Sequence, residues 1–241
     1  MEREVIILAA SDKYSNSCVG GVDSKTGEWI RLVSSDKKIC EALTPEMITF
    51  ENGVKCSPFD KVSVSIIKKI PIGHQPENLL IDETKKFRKI ERVSLDDILQ
   101  VHPVENGRKD VSRFLENEHP YFNSREILEI KRSLYLIEVR NLKIYKKTYQ
   151  NNRVRYKATF NYLGKDYINI SMTDPKYKVE HDCEYKTAII MLSLGTLPFD
   201  DGNFYKFVVK IFPLTEEGEL IDKEELEDKN EILVCEDEFP F

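Results

Sequence analysis

Residues 134–149 read Leu-Tyr-Leu-Ile-Glu-Val-Arg-Asn-Leu-Lys-Ile-Tyr-Lys-Lys-Thr-Tyr, and after Asn151-Asn152 the chain continues Arg153-Val-Arg-Tyr-Lys-Ala-Thr-Phe-Asn-Tyr162. In the second segment Val154, Tyr156, Ala158, Phe160 and Tyr162 share one parity. Arg153, Arg155, Lys157, Thr159 and Asn161 share the other. Side chains of a strand alternate between faces, so this is a strand with an apolar and a basic side. The Asn-Asn step makes the pair a long β-hairpin.

Working outward, the period of two persists. Leu163-Gly164-Lys165 turns into a strand over residues 167–173 that is expected to bury Ile168, Ile170 and Met172, and Asp174-Pro175 breaks it. Residues 187–194 and 205–212 supply two more strands around an Asp201-Gly202-Asn203 turn. Upstream, residues 5–10 are apolar on both faces. Turns expected at Gly20-Gly21 and Thr26-Gly27 make residues 17–23 and 28–34 its hairpin partners, and residues 61–70 alternate until Pro71. Between these halves, residues 73–120 are loop-like, with short helices expected after Ser94 and Ser124. The predicted fold is all-β with short helices, a three-strand meander and two returning strands, twice. That is the order of two tandem OB-like five-stranded barrels, although SH3-like barrels share much of the pattern. The expected boundaries are 1–125 for a first barrel with a helical, loop-rich insertion, 126–215 for a second barrel, and 216–241 for an acidic segment, with a weak helix over 216–229 and an edge strand over 231–235.

Composition narrows the function. The formal net charge of −6 is unevenly spread: residues 216–238 hold twelve acids against Lys223 and Lys229, leaving a mildly basic body. No apolar run approaches the roughly 18 residues of a membrane helix, and the start lacks a signal-peptide pattern. Five scattered cysteines without a C-x-x-C pair argue against a disulfide framework or a zinc site and fit a reducing cytosol. No cofactor or metal is expected.

Residues 140–165 carry eight Lys or Arg and no acid, interleaved with Tyr145, Tyr149, Tyr156, Phe160 and Tyr162. Like charges on neighbouring strands repel, so folding alone does not explain them. Cations beside aromatic rings suit single-stranded nucleic acid, RNA or DNA. Arg153, Arg155 and Lys157 are expected to form an outward ladder, with Tyr145, Lys147 and Tyr149 on one face of the preceding arm. Tyr156, Phe160 and Tyr162 are expected in the core. Lys13, Trp29 and Arg31 form a possible second site, although Trp29 filling the first barrel explains the same pattern. A different class of function, a nucleotide pocket or enzyme, would use Ser11, Lys13, Cys18 and Arg31. His181-Asp182-Cys183 makes a weak catalytic constellation, since neighbours on a strand diverge. The acidic segment suits either a basic protein partner or an internal competitor of nucleic acid.

Further stretches in both halves of the chain add a family. Leu8-Ala-Ala-Ser-Asp-Lys-Tyr-Ser-Asn-Ser-Cys-Val-Gly-Gly21 with Gly27-Glu-Trp-Ile-Arg-Leu-Val-Ser34 resembles the opening of the bacterial dual OB-containing domain family. Ile170-Ser-Met-Thr-Asp-Pro175 and Ser193-Leu-Gly-Thr-Leu-Pro-Phe199, followed by Tyr205-Lys206, resemble its second half. The resemblance implies two OB barrels in tandem.

Overall fold

The computed structural model describes residues 1–13, 15–117, 119–149, 152–177 and 182–221. The first barrel is built from β1 (Glu2–Lys13), β2 (Asn16–Asp23), β3 (Trp29–Val33), β4 (Asp60–Lys69) and β5 (Asn78–Ile81). The meander β1-β2-β3 is antiparallel, β3 pairs in parallel with β5, and β4 closes the ring onto β1. A further strand, β6 (Arg88–Arg92), lies outside β4. Inside sit Val5, Ile7, Ile30, Leu32, Val62 and Val64. Neither β5 nor β6 was expected from the sequence.

After α1 (Leu95–Val101), α2 (Lys109–Phe114) and β7 (Tyr121–Phe122), the second barrel repeats the order with β8 (Leu134–Thr148), β9 (Val154–Tyr162), β10 (Lys165–Met172), β11 (Cys183–Leu194) and β12 (Phe204–Leu214). Here β10 and β12 form the parallel pair, and β11 pairs with β8. This is the five-stranded OB order in both halves. Ser94 caps α1 in a reciprocal box with Asp97, as the Ser-x-x-Asp spacing requires. The helix expected after Ser124 is a single 3-10 turn over Glu126–Glu129.

The two barrels share a seam, and alternation explains it. With Val5 and Ile7 inside the first barrel, Ile6 and Leu8 face outward and pack with Trp29, Leu134, Leu136, Ile189, Met191 and Phe212. That is why residues 5–10 are apolar on both faces. Gly20-Gly21 does not form the turn expected there but lies within β2 at its closest approaches. A Cβ on Gly20 would sit 2.8 Å from Met191 Cε, and one on Gly21 would sit 2.1 Å from the Ile6 carbonyl oxygen. The turn is at Thr26-Gly27.

Two other expectations change. Ile168 is 55% exposed, because Asn169 adopts φ +59° and the β9–β10 register slips between Tyr167 and Ile170; Tyr167 takes its place in the core. The linker does not belong to the first barrel alone. Val111, Phe114 and Phe122 enter the second barrel's core, and β7 pairs with β12, so packing with the second barrel begins before residue 126. Of the acidic segment only residues 216–221 are described; they form a turn with a Leu214–Leu220 bridge. Most of the expected helix and all of the expected edge strand lie outside the described residues.

Candidate functional site

The hairpin of β8 and β9 runs past its last core pair, Ile144 and Ala158. Beyond it the apolar parity emerges: Val154 is 39% exposed and Tyr156 is half-buried. On the opposite parity Tyr145 lies across from Lys157 and Lys147 across from Arg155, and the Tyr149 amide donates to the Arg153 carbonyl at 3.0 Å. All six residues predicted on this hairpin thus share one face, as three rungs. Successive rungs are separated by about 7 Å.

Tyr149, Lys147, Arg153 and Arg155 are exposed, but Lys157 does not protrude as expected. It lies between Tyr145 on β8 and Ser171 on β10, is 8% exposed, and donates to Ser171 Oγ at 2.9 Å. Burial, followed by the nearby Lys147 and Arg155, holds its amine below the ordinary lysine range. Asn169 accepts from the Tyr145 hydroxyl at 2.8 Å and from Lys147 Nζ at 3.5 Å. Among the described residues no carboxylate pairs with Lys147, Arg155 or Lys157.

The β11–β12 loop, residues 195–203, flanks the same face. Phe199 is 42% exposed and its ring centroid lies 5.0 Å from that of Tyr205 and 6.4 Å from that of Phe207. Tyr121 continues the row at 5.5 Å from Tyr205, and His119 stacks on Tyr121 at 5.4 Å. The Tyr205 hydroxyl donates to Asp201 at 2.6 Å, and that bond, then burial and the neighbouring Asp201, Tyr121 and Tyr149, pushes it up to about 12. Tyr149 therefore reaches from the hairpin tip toward this row. The sequence reading did not single out these rings. Their signal is aromatic residues at 199, 205 and 207 bracketing the Asp-Gly-Asn turn.

The second proposed site is placed elsewhere. Trp29 and Arg31 alternate with core residues Ile30 and Leu32, so they face the second barrel, 8% and 6% exposed. Trp29 meets the His102 ring at 4.5 Å, and Arg31 Nη2 donates to Ser133 Oγ at 2.7 Å and Ser193 Oγ at 3.0 Å. Both are seam residues, and Trp29 also lines a cleft of about 480 Å³ with His102, Arg108 and Arg132. Lys13 ends β1 opposite Asn16. Ser11 is 4% exposed, and Arg31 is turned to the seam.

Neither Cys56 nor Cys183 is set up as a nucleophile. Burial raises Cys183, and it pushes Cys56 up to about 12, the opposite of activation. His181 lies outside the described residues. Among the described residues no three His, Cys, Asp or Glu side chains gather to hold a metal ion, and no helix is long and apolar enough to cross a membrane.

The family model for the dual OB-containing domain matches residues 3–211, and the chain belongs to that family. No curated protein matches. Among solved structures it is similar to the crystal structure of the p204 HINb domain, with 12% identity, 87% of this chain and 97% of that chain covered, and a TM-score of 0.37. It is also similar to the crystal structure of the tetrameric p202 HIN2, with 13% identity, 89% and 94% covered, and a TM-score of 0.34.

Proposed function

We propose that this protein is a non-catalytic binding module for single-stranded nucleic acid. The ligand lies across β9 and β10 of the second barrel, between the hairpin tip and the 195–203 loop. OB barrels bind oligonucleotides on the face of their second and third strands, between the first–second and fourth–fifth loops. In the second barrel those are β9, β10, the tip and the 195–203 loop. One observation carries the reading: this face joins Lys147, Arg155 and Lys157, which have no carboxylate partner among the described residues, to a row of partly exposed rings. Phosphates would meet Arg153, Arg155, Lys147 and Lys157, and bases would stack on Tyr149 and Phe199. A phosphate beside Lys157 would also offset the burial and the neighbouring positive charges that hold its amine low.

The test is fluorescence anisotropy with a labelled 12-nucleotide strand, DNA and RNA, across a salt series. Lys147→Glu with Arg155→Glu should weaken binding at least 10-fold at low salt and flatten the salt dependence. Equal affinity of variant and wild type, or binding insensitive to salt, would count against the proposal.

A further inference from the structure

The hairpin has a second side. Lys146, Val154 and Tyr156 carry the parity opposite to the ladder, and where the arms overhang the barrel they border a cleft of about 640 Å³. Its other wall belongs to the first barrel: the β1–β2 turn at Ser15, Asn16 and Ser17, together with Lys55. Arg155 and Thr173 also line it. Among its described lining residues are three cations and no Asp or Glu. No carboxylate among the described residues pairs with Lys55, Lys146 or Arg155. Protein surfaces ordinarily intersperse the two signs, so an acid-free cleft bordered by hydroxyls is suited to an anionic backbone.

From this we infer that the first barrel extends the ligand path of the second, taking into the cleft the phosphates of a strand that leaves the ladder face. The inference rests on the proposed nucleic-acid reading and adds a direction and a length to it. Arg155 joins the two surfaces, since it stands on the ladder and also lines the cleft. Thr173 follows Ser171, the residue that holds Lys157, at the end of β10. The first barrel's own strand-two and strand-three face is closed by the seam, so its β1–β2 turn is the part left to contribute. One OB fold occupies about 4–16 nucleotides depending on the protein. Here the footprint is that of one barrel plus a short extension.

The experiment compares full-length wild type with Lys55→Ala/Lys146→Ala on labelled oligo-dT and oligo-U strands of increasing length. Both lysines are exposed, and among the described residues neither side chain makes a hydrogen bond or ion pair. For wild type, affinity should rise with length beyond the strand that saturates the ladder face. In the variant the rise should stop earlier, with about 10-fold weaker binding of the longest strand and unchanged binding of the shortest. The salt slope on the long strand should fall by about 1.4, because each of the two lysines that no longer meets a phosphate removes roughly 0.7. Equal affinities of variant and wild type at every length, or equal losses at every length, would overturn the inference and leave the ladder site standing. Failure of wild type to bind any length would overturn both.

Discussion

Lys206 shows how much one buried charge matters here. It is 1% exposed, its Nζ donates to the Asn117 carbonyl at 3.3 Å and to Asn117 Oδ1 at 2.5 Å, and it stands 4.3 Å from the Phe122 ring centroid and 5.6 Å from that of Phe114. No carboxylate touches it among the described residues, and burial drops its amine to about 7. The unfolded chain holds this proton up to about pH 10.4, so between about 7 and 10 it binds more protons than the native state. Stability therefore rises with pH through that window. Urea unfolding of wild type should show a midpoint that climbs from about pH 6.5 to about pH 9, worth a few kcal/mol, whereas Lys206→Met should be the more stable at the lower pH and lack most of the climb. A flat wild-type profile would sink the assignment. At this scale the sequence is legible only where parity persists. Ile168 was placed inside because no signal in the string announces the bulge at Asn169. Gly20-Gly21 suggested a turn because a glycine needed for close approach has the same letter as one needed for a bend. Lys157 was expected outward, which its parity supports, but its burial depends on what β8 and β10 place beside it.

At the scale of elements, long alternating strands were readable and short ones were not. β8 and β9 alternate over many residues, whereas β5 spans Asn78–Ile81 and β6 is exposed throughout, so neither offers a period to detect. α2 is a helix of only six residues, held in place by inserting Val111 and Phe114 into the second barrel. The ladder could be found in sequence because it lies on one hairpin. The aromatic row shows in sequence only as rings bracketing the 201–203 turn, because it joins that face only when β10 pairs with β12 and closes the barrel. The two halves of the site should also differ in physics. Tyr149→Ala and Phe199→Ala remove rings that are 40% and 42% exposed, so folding should be little changed. Each should weaken single-strand binding by about 1–3 kcal/mol, roughly 5- to 150-fold, if its ring stacks on a base. Because neither substitution removes a charge, the salt slope should stay as in wild type. A full-strength complex in both variants would show that the rings are structural and the ladder binds alone.

Across the whole molecule, the two barrels are joined by a buried polar relay set in the apolar seam. Arg31 donates to the Ser133 and Ser193 hydroxyls, while Glu77, 5% exposed, accepts from the Ser133 amide at 3.1 Å and from the Ser133 hydroxyl. Around it Gln75 Nε2 donates to the Leu194 carbonyl at 3.0 Å, and His74 Nε2 lies 2.9 Å from the Gly195 carbonyl. Burial keeps His74 below its ordinary range, so it donates as a neutral ring. The first barrel's β4–β5 connection thereby grips the start of the second barrel's 195–203 loop. The barrels are thus held in one orientation, which the proposed path between them requires. Arg31 and Glu77 make no direct ion pair: the Ser133 hydroxyl bridges them, so burying both charges costs desolvation that only these shared hydrogen bonds offset. Arg31→Ala removes the buried donor to the Ser133 and Ser193 hydroxyls and should cost about 1–3 kcal/mol in chemical unfolding. Arg31→Met with Glu77→Gln removes both charges and should recover most of that loss. Solution scattering should then show a larger radius for Arg31→Ala than for the double variant, as the seam loosens. Equal stability of the single and double variants would mean that Arg31 and Glu77 are not coupled, and the fixed orientation would rest on the apolar seam alone.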